Sequence, residues 1–474
     1  MYFFKLPSVF ETGLLALLLL FGVACQRAPS PNVIILHTDQ WRAQAFGYAG
    51  DPNVKTPNID QLAAESANVS LAVSGMPVCT PHRASLLTGQ RPLTHGLFMN
   101  DVQLDTNATS LAEVYAAAGY HTAYVGKWHL DGSGRSNFIP PGGRRQGFEY
   151  WKALECTHNY NNSAYYEGDS PEVRYWDGYD AIEQARDVQD FIKENANADK
   201  PFLMFLSWGT PHAPYHTAPD EYRQLYDPET LQLHPNVPPD MEEKVRKDLA
   251  GYYAHSTALD DMVGEILQTV EDAGIAGETI ILFTSDHGDL LGSHRAYKKQ
   301  QAYEESIRIP MLIRAPQIAA GEYRALMNSY DIMPTLLGLS GLRVPETVEG
   351  YDYSGFLKGN VASVDTATVL SCVQPFGQWN RFDHGGREYR GLRTLRYTYT
   401  RDLNGPWQLF DNEKDPYQMR NLVDDPEYAD LSVKMDELLS SKLDAQGDEF
   451  LPGMDYIARY GYPVNEKQTV PYTP

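Results

Sequence analysis

Four short apolar runs, each followed closely by charged or metal-ligating side chains, constrain this chain more than any other feature. Segments 32–38, 122–125, 202–207 and 279–284 are brief and largely apolar, as strands buried on both faces are. Helical patterns lie between them. Thr56 and Pro57 offer a cap and a first-turn proline for a helix to about residue 68, and a second helix is expected from Pro81 or His82. Further helices read over 110–118, 177–195 and, as one long amphipathic helix, 244–273. This alternation predicts an α/β fold with a large mixed, mostly parallel sheet flanked by helices on both faces. Asp39 follows the first strand, Lys127 and His129 the second, His212 the third, and Asp286 and His287 the fourth. Open α/β sheets bind ligands at that carboxyl edge, so these six residues are expected to share one crevice. Any one of them alone is an ordinary turn or cap residue.

After about residue 350 the texture changes to strand candidates at 368–372, 392–400 and 408–410, then a helix at 431–443. This reads as a smaller C-terminal antiparallel sheet with a packed helix, and divides the chain into 25–350 and 351–474. Segment 153–176, with many tyrosines and few aliphatics, reads as a long loop at a cleft. At the other end, 13–24 is almost wholly apolar, preceded by Lys5 and followed by Cys25. So short a run suits a signal peptide over 1–24, since a membrane span needs about 20 apolar residues. Cys25 stands where a bacterial lipoprotein is cleaved and acylated, although Gly22 replaces the usual leucine, and a plain secretory signal also fits. Both readings imply export to the periplasm or outer membrane of a bacterium, with a lipid anchor at Cys25 in the first. The net charge of −23, from 62 acidic against 39 basic residues, argues against nucleic acid as a ligand. A small anion held locally remains compatible with it.

The run Cys79-Thr80-Pro81-His82-Arg83-Ala84-Ser85-Leu86-Leu87-Thr88-Gly89 fits C-x-P-x-R-x-x-x-L-T-G at every fixed position. Three of those letters would describe a buried cysteine beside a turn equally well. The whole run resembles the signature of the type I sulfatases, members of the alkaline-phosphatase-like superfamily. The resemblance extends from Asn32 to about Leu422. Asp39-Gln40-Trp41-Arg42 resembles the first metal segment, and Gly126-Lys127-Trp128-His129 the family's Gly-Lys-Trp-His element. Asp286-His287-Gly288-Asp289 resembles the second metal segment, and Lys299, ahead of Tyr303-Glu304-Glu305-Ser306, the sulfate-binding lysine. Two departures stand out. Gln40 replaces a usual second aspartate, and His287 stands where many members have asparagine.

The resemblance implies that a maturase oxidises Cys79 to formylglycine (3-oxoalanine), whose hydrated aldehyde is the nucleophile. Asp39, Gln40, residue 79, Asp286 and His287 would then hold one divalent metal ion. Calcium is the usual ion, and the imidazole and the missing carboxylate leave manganese or magnesium compatible. Arg83 would orient the diol, while Lys127 and Lys299 would bracket the sulfate where negative charge develops. His212 would protonate the leaving oxygen, and His129 would take the proton of the second diol hydroxyl, expelling sulfate. A serine or cysteine could accept sulfate but has no second hydroxyl to release it. With Cys25 lipidated and Cys79 modified, Cys156 and Cys372 remain for a disulfide. Lys298 reads as a solvated residue, Trp128 as packing, and His37, His82, His121 and His158 as bystanders.

An exported enzyme of this kind implies a sulfated oligosaccharide or polysaccharide fragment as substrate. His384 and Arg387, in the polar run 381–390, are candidates for reading sugar hydroxyls or a carboxylate, and Trp379 or Tyr165 for stacking on a pyranose. Two other readings stand beside this one. A formylglycine-dependent phosphonate monoester or phosphodiester hydrolase shares the Asp39-Gln40 and Asp286-His287 pattern. An inactive sugar-binding lipoprotein requires a lost catalytic group, for which Gln40 is the only support.

Overall fold

A computed structural model of the chain describes residues 1–4, 30–380 and 385–471; the apolar segment 13–24, Cys25 and His384 lie outside them. Ten strands form the main sheet: β1 (Asn32–Asp39), β2 (Ala67–Val69), β3 (His121–Lys127), β4 (Tyr150–Leu154), β5 (Ala164–Glu167), β6 (Val173–Tyr175), β7 (Phe202–Pro211), β8 (Thr279–Ser285), β9 (Met311–Arg314) and β10 (Gly321–Tyr323). Their order is β10-β2-β9-β8-β1-β7-β3-β4-β5-β6. The central five, β8-β1-β7-β3-β4, are mutually parallel, and β9 and β5 join their two sides antiparallel.

All four expected central strands are present, and each runs further toward the site than its apolar stretch. Asp39, Lys127, Pro211 and Ser285 are their last residues. Along β1 and β7 the side chains alternate between two cores: Val33, Ile35, Leu203 and Phe205 pack on one face, Ile34, Leu36, Met204 and Leu206 on the other. The helices Asp180–Asn195 and Glu242–Asp272 cover the second face.

Three expectations are corrected. The helix from Pro57 stops at Ala64, because Ala67 and Asn68 pair with β9. The second helix starts at Cys79, with Pro81 inside its first turn, where the missing N–H has no intrahelical partner to lose. Segment 153–176 is not all loop: β5 and β6 form a hairpin added to the sheet edge.

The second sheet holds β11 (Ala367–Cys372), β12 (Tyr389–Thr394), β13 (Tyr397–Asp402) and β14 (Gly405–Asp411), all antiparallel in that order. Here 392–400 is two strands and not one. Thr394 Oγ1 accepts the backbone N–H groups of Arg396 and Tyr397 and turns the chain, a local bond that the apolar pattern conceals. Leu439 and Leu443 of the helix Ala429–Gln446 pack on Leu392, Tyr399 and Leu409. The following helix, Gly453–Tyr460, returns to the main body, where Tyr456 and Tyr460 meet Phe98 edge-on. Among the described residues no helix is long and apolar enough to cross a membrane.

Candidate functional site

Close backbone approach at two glycines shapes the site. Gly126 has φ +105°, and a Cβ there would lie 2.1 Å from the Ser207 carbonyl oxygen of the neighbouring strand. At Gly288 a Cβ would lie 2.0 Å from the Glu305 carbonyl oxygen. Gln40 (φ +68°) and His129 (φ +60°), two of the sequence candidates, adopt left-handed backbone, a conformation that non-glycine residues hold mainly where tertiary contacts enforce it.

Asp39, Cys79, Asp286 and His287 are buried together, with one donor atom from each lying within 4.8 Å of the others. Cys79 Sγ is 3.3 Å from His287 Nε2 and 3.9 Å from Asp39 Oδ1. His287 Nδ1 donates to the Gly288 carbonyl oxygen at 2.9 Å, which leaves Nε2 with its lone pair toward the cluster. Burial pushes His287 down to about 4, so the ring is neutral, as a ligand must be. Gln40 donates its backbone N–H to Asp286 Oδ1 (2.9 Å) and its amide Nε2 to Asp289 Oδ2 (2.6 Å). Those bonds fix the amide so that Oε1 is buried without a partner. A buried orphan oxygen beside two carboxylates and a neutral imidazole fits a divalent cation, and the cluster is a divalent-metal site. Gln40 therefore departs from the common pattern in charge while still presenting an oxygen.

Three cations converge on the same cluster. Arg83 Nη2 lies 3.1 Å from Asp39 Oδ2 and 3.2 Å from Asp286 Oδ2, while Nη1 donates to Ser207 Oγ at 2.6 Å and the Lys127 carbonyl oxygen at 3.0 Å. Lys127 Nζ donates to Asp39 Oδ2 at 2.6 Å, and Lys299 Nζ reaches Cys79 Sγ at 2.9 Å. Burial alone would raise the pKa of Asp39, yet Lys127, His212, Lys299 and Arg83 together hold it well below the usual carboxylate range. Burial and Asp39 push the Cys79 thiol up, but Lys127 and Lys299 prevail and its pKa lies below the ordinary value. Lys298 is exposed, as expected of a solvated residue.

His212 is half-buried, and Nδ1 donates to the Ala213 carbonyl oxygen at 2.8 Å. Burial, reinforced by Lys299, lowers its pKa well below that of a free histidine. Its ring stacks on His158, with centroids 4.7 Å apart and planes at 11°. His158, read from the sequence as a bystander, thus packs against a candidate catalytic residue, a contact that no local motif foretold. His129 Nε2 meets Asp101 Oδ1 at 3.3 Å, and Arg135 grips both oxygens of that carboxylate at 2.9 and 2.8 Å. Asp101, Arg135 and His158 were missed because each comes from a loop with no apolar periodicity.

The specificity candidates are arranged differently. Arg387 pairs with Asp402 at 3.3 Å and lies over the Trp407 ring at 5.2 Å. Tyr165 stacks on Trp176 at 3.9 Å, so that face of its ring is already covered. Trp379 is buried. Cys156 and Cys372 are free thiols. Trp128 packs with Tyr124, Phe148 and Trp151, as expected.

Comparison with known proteins agrees with this geometry. A sulfatase family profile matches residues 31–342, and one for the C-terminal part of N-sulphoglucosamine sulphohydrolase matches 292–445. An ulvan-active sulfatase of Formosa agariphila is 45% identical over 448 residues, spanning 93% of this chain and 87% of that protein. An endo-4-O-sulfatase of Bacteroides thetaiotaomicron is 30% identical, spanning 84% and 89%. A solved Bacteroides thetaiotaomicron structure, described in connection with the metabolism of multiple glycosaminoglycans, superposes with a TM-score of 0.81 at 28% identity, spanning 91% of this chain and 99% of that one. Phosphonate monoester hydrolase of Agrobacterium radiobacter shares the fold, with a TM-score of 0.71 at 22% identity, spanning 94% and 100%. With its cysteine signature, buried metal cluster and paired lysines, this chain belongs to the type I sulfatase family and is a hydrolase of sulfate esters.

Proposed function

We propose that the enzyme removes sulfate from a sulfated saccharide derived from a polysaccharide, with Cys79 matured to formylglycine and calcium in the metal site. One observation carries the reading: two buried lysines reach into one metal-ligand cluster, Lys127 to Asp39 and Lys299 to Cys79. That is the charge arrangement an anionic sulfuryl group needs as it transfers. The saccharide rests on the relatives, among them enzymes named for ulvan and for an endo-4-O-sulfate. A bacterial periplasmic or lipid-anchored location follows from the N-terminal segment and Cys25 in the sequence alone.

Hydrated formylglycine would supply a hydroxyl nucleophile and a second hydroxyl, and the metal a Lewis acid that orients them. Asp39, Gln40, Asp286 and His287 would hold the ion. Arg83, fixed by Ser207 and the Lys127 carbonyl, would hold residue 79 in orientation. Lys127 and Lys299 would each face the sulfate, and the division at about residue 350 would let the smaller lobe shape the saccharide side, with His384 and Arg387 as contacts. His212 would protonate the leaving oxygen. Its Nδ1 is engaged by Ala213, so Nε2 is the nitrogen left for substrate. Burial chiefly keeps this ring neutral and Lys299 reinforces it. A sulfate anion between the lysines would offset the Lys299 contribution and so favour the imidazolium that donation needs.

The test compares leaving groups. On a sulfated oligosaccharide, with sulfate release read by ion chromatography, His212→Ala should lower kcat/KM by about 10²–10⁴. On 4-nitrophenyl sulfate, whose phenolate leaves without a proton, the loss should stay within about tenfold. Equal losses on both would contradict the role of His212. Turnover of the aryl ester with no sulfate released from any sulfated oligosaccharide would contradict the saccharide.

A further inference from the structure

The carboxylate behind His129 has no part in the reading above and is built with more care than a surface pair. Asp101 is 8% exposed, and both of its oxygens are engaged by Arg135. Its Oδ1 also faces His129 Nε2 at 3.3 Å. A carboxylate held ionised by a guanidinium can only accept, so the hydrogen in that contact belongs to Nε2. His129 Nδ1 is buried and has no partner among the described residues. The ring itself is held from the backbone. Thr80, next to Cys79, donates its hydroxyl to the His129 carbonyl oxygen at 2.9 Å. Glu155 accepts the N–H groups of Leu130, Asp131 and Gly132 at 3.2, 2.9 and 2.8 Å, pinning the chain just after the left-handed His129.

We propose that Asp101, clamped by Arg135, is a positioning residue that fixes the proton of His129 on Nε2 and makes Nδ1 the base. The proposal deepens the sulfatase reading, on which the role of His129 as base rests. Sulfate release requires the O–H bond of the spare hydroxyl on residue 79 to break. Its proton passes to His129 Nδ1, the O–H electron pair forms the aldehyde C=O, and the bond from carbon to the sulfated oxygen breaks as sulfate departs with the electrons of that C–O bond. The imidazolium so formed has both nitrogens protonated, and Asp101 accepts from the one that faces it. With the tautomer reversed, Nδ1 carries a hydrogen and cannot take the proton. In serine proteases, replacing the orienting aspartate by asparagine strands the histidine in the wrong tautomer at a cost of about 10⁴-fold in kcat.

The direct test needs neither maturation nor substrate. In full-length protein with unmodified Cys79 and ¹⁵N-labelled histidine, the His129 ring, assigned by its loss in His129→Gln, should report a protonated Nε2 and an unprotonated Nδ1. In Asp101→Asn the acceptor that holds the proton on Nε2 is gone and the amide NH2 favours a lone pair there, so the spectrum should move toward protonated Nδ1. Arg135→Gln, which leaves the carboxylate in place, should keep the wild-type pattern. In the matured enzyme, Asp101→Asn should lower kcat by about 10²–10⁴ while first-turnover alcohol release stays within about tenfold, so sulfated protein accumulates and is seen by intact mass. A wild-type ring protonated on Nδ1 overturns the proposal, even if Asp101→Asn fails to fold. So does a variant that slows both half-reactions equally. Absence of any sulfatase activity in the wild type would refute the function while leaving the tautomer result standing.

Discussion

Cys79→Ser is expected to stop the enzyme after a single turnover. Serine at this position keeps one hydroxyl, at the start of the helix Cys79–Thr88 and beside Lys299 and His287, and so can still accept a sulfuryl group. It has no second hydroxyl, so the route that releases sulfate from residue 79 is closed. Steady-state turnover should fall by about 10⁴–10⁶, as for loss of a covalent nucleophile elsewhere. The protein should gain the mass of one sulfo group, mapped to the peptide that contains residue 79. Repeated turnover by the serine variant would contradict a requirement for two hydroxyls, and with it the formylglycine assignment.

Arg83→Met should be the most destabilising change at the site, and its effect should depend on metal. Arg83 is 3% exposed and is shared between Asp39 and Asp286, which are fully buried. Methionine keeps part of the stem's packing and removes the cation. Two carboxylates are then left close together, with Lys127 still paired to Asp39 alone. Breaking a buried ion pair in this way costs about 3–5 kcal/mol. In chelator the thermal midpoint of the variant should drop sharply. Millimolar calcium should return most of the loss, because a bound cation replaces the missing charge and binding stabilises the folded state. A small loss that calcium does not alter would contradict a cation site between these carboxylates.

Much of this arrangement is legible in the residues alone, for a physical reason. β1, β3, β7 and β8 are buried on both faces, so their apolar runs are unbroken, and the polar residue that ends each run lies at the sheet edge that binds ligands. The signature at Cys79 and the lysines are likewise local in sequence. What escapes is whatever depends on long-range contact. Asp101 reaches His129 across 28 positions, Asp289 holds the Gln40 amide across 249, and His158 meets His212 from a loop without periodicity. Hydrogen bonds between loops leave no apolar pattern to read. The missed turn at Thr394 and the β5–β6 hairpin are failures of the same kind, since polar side chains and edge pairing decide them.

The central claim is that this chain is a formylglycine-dependent hydrolase of sulfate monoesters. Protein co-expressed with a formylglycine maturase should be compared on 4-nitrophenyl sulfate and on an aryl phosphonate monoester by kcat/KM, with Cys79→Ala as the blank. The two classes share this fold, so the ratio separates them directly. A preference for the sulfate ester that disappears in Cys79→Ala is the predicted result. A preference for the phosphonate ester would contradict the account, leaving the nucleophile and the metal cluster but not the substrate.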